Sequence, residues 1–294
     1  MIIKYTKKLI RWLLGKLGYT LIKSPEKLAA SMDMAAMLPE LIRQVHPIGQ
    51  PALKGYQLEM ATYHIKTGMG DAEPEFFPLY ERCCKYTMTS WDRLYSLYMA
   101  IRYIVRNDIQ GDIVECGVWR GGSMMMAALT LLELGHDDRK FFLYDTFEGL
   151  PKPDEIDVDV WGHRAIEAWL PHRKTDESSD WAYASLNEVR ANLESTGYPM
   201  RNVTFVKGMV ERTIPATVPN KIALLRLDTD WYNSTRHELE NLYPRLSRNG
   251  VLIIDDYGHL RGSRQATDEY FAKLNMPPLL NRTDYAGRVA IKPD

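Results

Sequence analysis

The spacing of apolar and polar residues changes character near residue 110. Before that point it is helical. Leu94, Leu97, Tyr98, Ile101, Ile104 and Val105 recur on one face over 90–105. Residues 1–45 show basic and apolar positions at helical spacing. The stretch between, 46–80, is rich in Pro and Gly without a clear period, which predicts irregular connection.

Beyond residue 110, short apolar runs alternate with helical stretches. Strands are predicted at 112–116, 141–144, 202–206, 222–227, 250–254 and 287–292. Helices are predicted over 122–134, 235–246 and 263–274. Apolar strands separated by helices make an α/β fold, a doubly wound, mostly parallel sheet covered on both faces. Ligands bind such sheets outside the carboxyl ends of the strands. Four of these runs end at Gly117, Asp145, Asp228 and Asp255. One stretch, 151–199, breaks the alternation. It holds Trp161, Trp169 and Trp181, has acids near its start, and ends in a helical pattern with Ser185 and Glu188 at capping-box spacing. It reads as a lid over the ligand crevice or as a surface subdomain that buries its own tryptophans. The domain organisation expected is a helical extension over 1–45 and a catalytic domain over 46–294, with 151–199 as an insertion.

The chain has 294 residues, ample for a sizeable core. A net charge of −1 gives no global attraction to nucleic acid. Three cysteines, two of them adjacent, suit a reducing cytosol and inert thiols. No apolar run approaches the ~18 residues a spanning helix needs. In residues 1–17, Lys4, Lys7, Lys8 and Arg11 share one helix face, while Ile2, Leu9, Ile10, Leu13 and Leu17 share the other, with Trp12 at the border. That pattern suits peripheral contact with the inner face of a membrane, or packing on the catalytic domain or on a second subunit of a homo-oligomer. Both readings stay open.

The candidate chemistry lies at the strand ends. The run from Glu115 through Gly117, Gly121 and Gly122 to Ser123 follows one strand and opens a helix. A dinucleotide loop would read G-x-G-x-x-G; that spacing is absent. An acid ahead of the glycines would repel a pyrophosphate but suit a cationic amino-acid ligand. S-adenosylmethionine carries an α-ammonium and a sulfonium, so Glu115, Gly117 and Ser123 are candidate cofactor contacts. Asp145, at the next strand end, is the candidate for the ribose hydroxyls. A glycine turn at this junction can also be purely structural. Asp228, Asp230, Asp255 and Asp256 end two later strands. If those strands are neighbours, the acids converge, and a divalent cation with oxygen ligands would relieve their repulsion. Helix caps on a solvated loop edge are the alternative.

Several ungapped runs carry a family resemblance: Gly117-Val-Trp-Arg-Gly-Gly122, Asp145-Thr-Phe-Glu-Gly-Leu-Pro151, Leu225-Arg-Leu-Asp-Thr-Asp230, Leu242-Tyr-Pro244 and Ile253-Ile-Asp-Asp-Tyr-Gly258. In this order they resemble the macrocin O-methyltransferase family, whose members methylate sugar hydroxyls on macrolide and aminocoumarin antibiotics. The resemblance implies a class I methyltransferase fold, Rossmann-like, with seven strands of which the last is antiparallel. It implies Mg²⁺ at Asp228, Asp255 and Asp256, a general base at Asp230, and a segment at Thr87 and Met88 that closes over the cofactor. Two positions depart from the family pattern: Thr229, where Gly is usual, and Cys116, where Thr is frequent. The lysine base of the more distant catechol O-methyltransferases is excluded, because Trp231 and Tyr232 follow here. The expected reaction is methyl transfer from S-adenosylmethionine to a hydroxyl of a small-molecule or glycan acceptor, with His259 as the competing base. A metal-dependent glycosyltransferase using Asp228-Thr-Asp230 and a non-catalytic scaffold are the rival readings.

Overall fold

The computed structural model describes residues 72–293. The readings of 1–45, of the amphipathic 1–17 and of most of 46–80 lie outside them. The described part begins with α1 (Phe76–Cys83) and α2 (Trp91–Arg106). Helix α1 corrects the expectation of irregular chain up to residue 80. Its cause is aromatic packing: the Phe76 ring is fully buried, with Tyr95 and Tyr98 of α2 at 5.1 and 5.4 Å. Helix α2 starts where Ser90 Oγ accepts from the Arg93 N–H and buries Leu94, Leu97, Tyr98, Ile101 and Ile104.

The alternation follows as β1 (Asp112–Cys116), α3 (Gly122–Glu133), β2 (Phe141–Asp145), α4 (Ala165–Trp169), α5 (Leu186–Glu194), β3 (Val203–Lys207), α6 (Val210–Thr213), β4 (Ile222–Leu227), α7 (Tyr232–Leu242), β5 (Leu246–Ile254), α8 (Arg261–Phe271), β6 (Asn281–Arg282) and β7 (Arg288–Ile291). The strands form one seven-stranded sheet in the order β3-β2-β1-β4-β5-β7-β6. Strands β1 to β5 run parallel, and β7 is antiparallel to β5 and β6. This is the α/β class expected, with an antiparallel closing strand. The strand order reverses beside β1, whose neighbours are β2 and β4, so the ligand crevice of such sheets opens there.

Helix α7 ends at Leu242, before the 246 expected, and β5 begins four residues early. Pro244 sits in a 3-10 turn at Tyr243–Arg245, where its missing N–H cannot extend the helix. Leu246 then pairs with Ile222, ahead of a register shift that places Val251 opposite Leu224. Every residue of β4 is buried, Arg226 included. Apolar residues on the two faces of the sheet make two large clusters, one against α1, α2, α3 and α5, the other against α7 and α8. No described helix is long and apolar enough to cross a membrane.

Candidate active site

The loop after β1 is fixed from both sides. Gly117 has φ +81°, and a Cβ there would lie 2.0 Å from the Asp228 carbonyl oxygen. Glycine is required so that the ends of β1 and β4 can meet backbone to backbone. Asp228 N–H donates to Cys116 O at 2.8 Å, and Gly117 N–H to Tyr144 O at 2.8 Å. Asp145 binds the next turn of this loop. Its Oδ2 accepts from the N–H groups of Val118 and Trp119 at 2.7 and 3.1 Å, and its Oδ1 from Phe147 at 2.6 Å. Burial raises its pKa against these three bonds. Thr146 Oγ1 also approaches Oδ1, at 3.5 Å, but its one proton has the shorter bond to Gly149 O at 2.7 Å, so of the carboxylate's about four acceptor positions one remains for a hydroxyl. Ser123 is buried in the first turn of α3. Thr87 lies across that turn: a Cβ on Gly122 would sit 2.8 Å from its Cβ. Met88 beside it is 55 % exposed.

Glu115 lies opposite Arg226 in the pairing of β1 with β4. It is 1 % exposed and accepts from Arg226 Nη1 at 2.8 Å through Oε1. Its Oε2 is buried with no hydrogen-bond partner. Burial outweighs the guanidinium and pushes its pKa up to about 8. An acceptor orphaned beside the cofactor loop fits the α-ammonium of S-adenosylmethionine.

The acids after β4 and β5 do converge. Asp228, Asp255 and Asp256 each bring one oxygen to within 4.8 Å of the others. Two arginines share them, and sequence reading missed both. Arg226 Nη1 donates to Asp228 Oδ2 at 2.6 Å, and its Nη2 donates to Asp255 and to Thr89 Oγ1. Arg93 of α2 donates to Asp255 and pairs with Asp284 at 3.1 Å. Burial would raise Asp255, but Arg226 and Arg93 outweigh it and hold this carboxylate below its usual value. Asp228 and Asp230 are instead raised, by burial first and then by neighbouring carboxylates. Asp230 has φ +70° and reaches the Asp256 carboxyl. Four carboxyl groups, Asp228, Asp230, Asp255 and Asp256, thus face two guanidinium groups, Arg226 and Arg93. An all-oxygen donor set with surplus charge fits a hard divalent cation such as Mg²⁺.

Thr229, between Asp228 and Asp230, donates through Oγ1 to Glu238 Oε1 at 2.8 Å. Glu238 is fully buried on α7, the Cys116 thiol reaches the same carboxyl, and burial raises it well above the usual range. The two departures from the family pattern thus meet at one side chain. Helical spacing puts Glu238 on the buried stripe of α7 with Thr235, Leu239 and Leu242, but its residue type gives no sign that a carboxyl is buried there.

The insertion is docked on the start of α7. Asp157 Oδ1 accepts from Tyr232 N–H at 2.8 Å, capping a helix whose own N-cap residue, Trp231, supplies no side-chain bond. Trp231 Nε1 donates to Pro151 O at 3.1 Å, and Trp181 lies 6.1 Å from the Trp231 ring. Trp169 is fully buried and Trp161 is not. Ser185 caps α5 by accepting from Glu188 N–H at 3.2 Å. His259 sits one turn after Asp256, its N–H donating to Asp256 O at 3.0 Å. Its ring lies between those of Trp161 and Tyr285, at 5.6 and 5.8 Å.

The family described as Macrocin-O-methyltransferase (TylF) matches residues 78–290. An 8-demethyl-8-(2,3-dimethoxy-alpha-L-rhamnosyl)-tetracenomycin-C 4'-O-methyltransferase of Streptomyces olivaceus is 32 % identical over 223 residues, covering 76 % of this chain and 82 % of that protein. The demethyldecarbamoylnovobiocin O-methyltransferase of Streptomyces niveus is 32 % identical over 202 residues, 69 % of this chain and 74 % of that one. Among solved structures, the O-methyltransferase NovP superposes with a TM-score of 0.63 at 28 % identity, covering 81 % of this chain and 98 % of its own. The glycosyltransferase and scaffold readings fall with these matches. A sheet that closes on an antiparallel strand, the acid–glycine loop after β1 and the matched span of sequence agree, and this chain belongs to the macrocin-O-methyltransferase family of O-methyltransferases.

Proposed function

We propose that this enzyme methylates a sugar hydroxyl of a small glycosylated acceptor, using S-adenosylmethionine, with Mg²⁺ at Asp228, Asp255 and Asp256. The observation that carries it is the junction of the two strand ends. Gly117 touches the Asp228 backbone, so the cofactor loop and the three converging carboxylates share one wall of the crevice. The Streptomyces olivaceus relative is named for a rhamnosyl-bearing substrate, which supports a sugar as acceptor.

In this reading Glu115 holds the amino-acid end of the cofactor, Asp145 takes a ribose hydroxyl, and Thr87 and Met88 cover the bound molecule. Gly117 and Ser123 shape its seat. Mg²⁺ would polarise the acceptor hydroxyl, which is barely ionised at neutral pH. Asp230 accepts the proton. The oxygen forms its bond to the methyl carbon while the carbon–sulfur bond breaks, its electron pair staying on sulfur. The left-handed backbone at Asp230 turns that carboxyl out of the β4 line toward Asp256, beside the place where the hydroxyl would sit. His259 is the second candidate base. Its aromatic neighbours suit a packing role better than a proton-transfer role, and Asp230 is preferred. The insertion acts as a lid over the acceptor, held down at Asp157.

The test uses the full chain. S-adenosylhomocysteine should bind and raise the melting temperature, whereas UDP and NAD should not. Methyl transfer should stop in EDTA and return with Mg²⁺ or Mn²⁺. Full turnover in chelator would remove the metal from the mechanism, and absence of S-adenosylhomocysteine binding would remove the cofactor assignment.

A further inference from the structure

Large aromatic side chains on a protein surface are ordinary when scattered singly, but a contiguous group marks a contact surface. Trp161 is 47 % exposed and Tyr285 46 % exposed, and both rings stand edge-on against the ring between them, His259. Interplanar angles of 68° and 77° make the three rings one continuous aromatic wall. They come from three separate parts of the chain: the insertion, the loop after β5 and the turn before β7.

The wall is rigidly built. Asp159, 1 % exposed, accepts from the Trp161 and His163 N–H groups at 2.8 and 2.9 Å, so the backbone under the indole is fixed. Arg261 N–H donates to Val158 O at 2.9 Å, which stitches the insertion to the loop carrying His259. On the other side Gly258 N–H donates to Ala286 O at 2.7 Å. A Cβ on Gly258 would lie 1.9 Å from Tyr285 O, so only glycine lets the two segments close. The wall also adjoins the acids. His259 is one turn from Asp256, and the Tyr285 phenol lies within electrostatic reach of Arg93, Asp256, Asp284 and Asp255.

We infer that Trp161, His259 and Tyr285 form the acceptor subsite, taking the C–H face of a pyranose whose hydroxyl edge is turned to Asp230 and Asp256. A sugar has one edge of hydroxyls and faces of C–H bonds. An acid cluster serves the first and aromatic rings the second. A 6-deoxyhexose, with a methyl group in place of a hydroxymethyl, adds apolar contact and fits best. This assignment rests on the proposed sugar acceptor and adds which side chains select it.

The experiment measures binding of methyl α-L-rhamnopyranoside to the full chain with S-adenosylhomocysteine and Mg²⁺, by saturation-transfer NMR. Trp161→Ala and Tyr285→Ala should each weaken it by about 2–10-fold, the range of one aromatic contact. Trp161→Phe and Tyr285→Phe should stay within about twofold of the unaltered protein. Calorimetric affinity for S-adenosylhomocysteine should not change in any variant, which separates a local loss from misfolding. Unchanged glycoside binding in both alanine variants would overturn the subsite. So would a change in sedimentation without a change in glycoside binding, which would make the wall a contact between copies of the chain. An unaltered protein that does not bind the glycoside would overturn it too. Methyl transfer to the same glycoside reads the parent proposal separately: binding that falls in the variants, with no transfer in any protein, would keep the subsite and reject the reaction.

Discussion

Thr229 and Glu238 are joined by a 2.8 Å hydrogen bond that ties the turn between Asp228 and Asp230 to the middle of α7. The bond is part-buried, its Glu238 end fully so, and Asp230 beside it holds a left-handed backbone that few residues adopt readily. Glu238→Ala would leave the Thr229 hydroxyl without its acceptor, at a cost of about 1–3 kcal/mol. We expect it to lower the melting temperature and to weaken Mn²⁺ binding, read by electron paramagnetic resonance, by roughly the tenfold that 1.4 kcal/mol represents. Thr229→Gly in the Glu238→Ala background should recover most of the Mn²⁺ affinity, because the orphaned hydroxyl is then gone. Additive losses would show that the two side chains act separately.

Asp230→Asn tests the base. Asparagine tolerates the left-handed region about as well as aspartate, so the turn should survive. Turnover should fall by roughly 10²–10⁴, with S-adenosylhomocysteine affinity unchanged. If Asp230→Asn remains active and His259→Ala does not, the proton goes to the imidazole instead.

Asp145 has two tasks, and its substitution should show both. Removing its carboxylate frees three backbone N–H groups at Val118, Trp119 and Phe147. Asp145→Ala should cost about tenfold or more in S-adenosylhomocysteine affinity by calorimetry, the scale of one charge-assisted bond. It should also lower the melting temperature. A lowered melting temperature with unchanged affinity would leave Asp145 as a loop clasp and take the ribose role from it.

The clamp between insertion and helix should be pH-dependent. Burial raises Asp157 to about 6, against two backbone N–H bonds from Tyr232 and Asp154 that pull it down. The folded state then holds this proton more tightly than the unfolded chain does. Stability contributed by the protonated form is present below the unfolded carboxylate value, near 3.9. It is lost as pH rises through about 6 in the folded protein. Two pH units correspond to roughly 3 kcal/mol. Melting curves of Asp157→Asn should lack this slope, so the gap between parent and variant should shift across pH 4 to 6.5. Parallel curves would mean that Asp157 is already ionised at pH 4.

The sequence by itself determined the sheet and the places where it would act. Apolar runs of five or six residues can hardly be anything but buried strands when helices separate them. The residue that ends each run must then lie at the carboxyl edge. Gly117, Asp145, Asp228 and Asp255 were legible for that reason, Glu115 as the acid just ahead of Gly117, and the ordered motifs around them carried the family. What surrounds those acids was decided by tertiary structure alone. Arg226 looks like one polar interruption of an apolar strand. Its partners are Glu115, 111 positions away, and Asp255, 29 positions away, and only the order β1-β4-β5 brings them to one guanidinium. Arg93 and Glu238 lie on helices, where spacing predicts a face but not which distant acid or hydroxyl that face will meet. The glycine at 117 was legible as a turn, but its cause was not. It makes room for a carbonyl 111 residues further along, at Asp228. The aromatic wall gathers Trp161, His259 and Tyr285 from segments with no common period, so no local pattern could have announced it. Periodicity records how a residue faces its own element, whereas pairing between elements depends on topology and register, which only the folded chain sets.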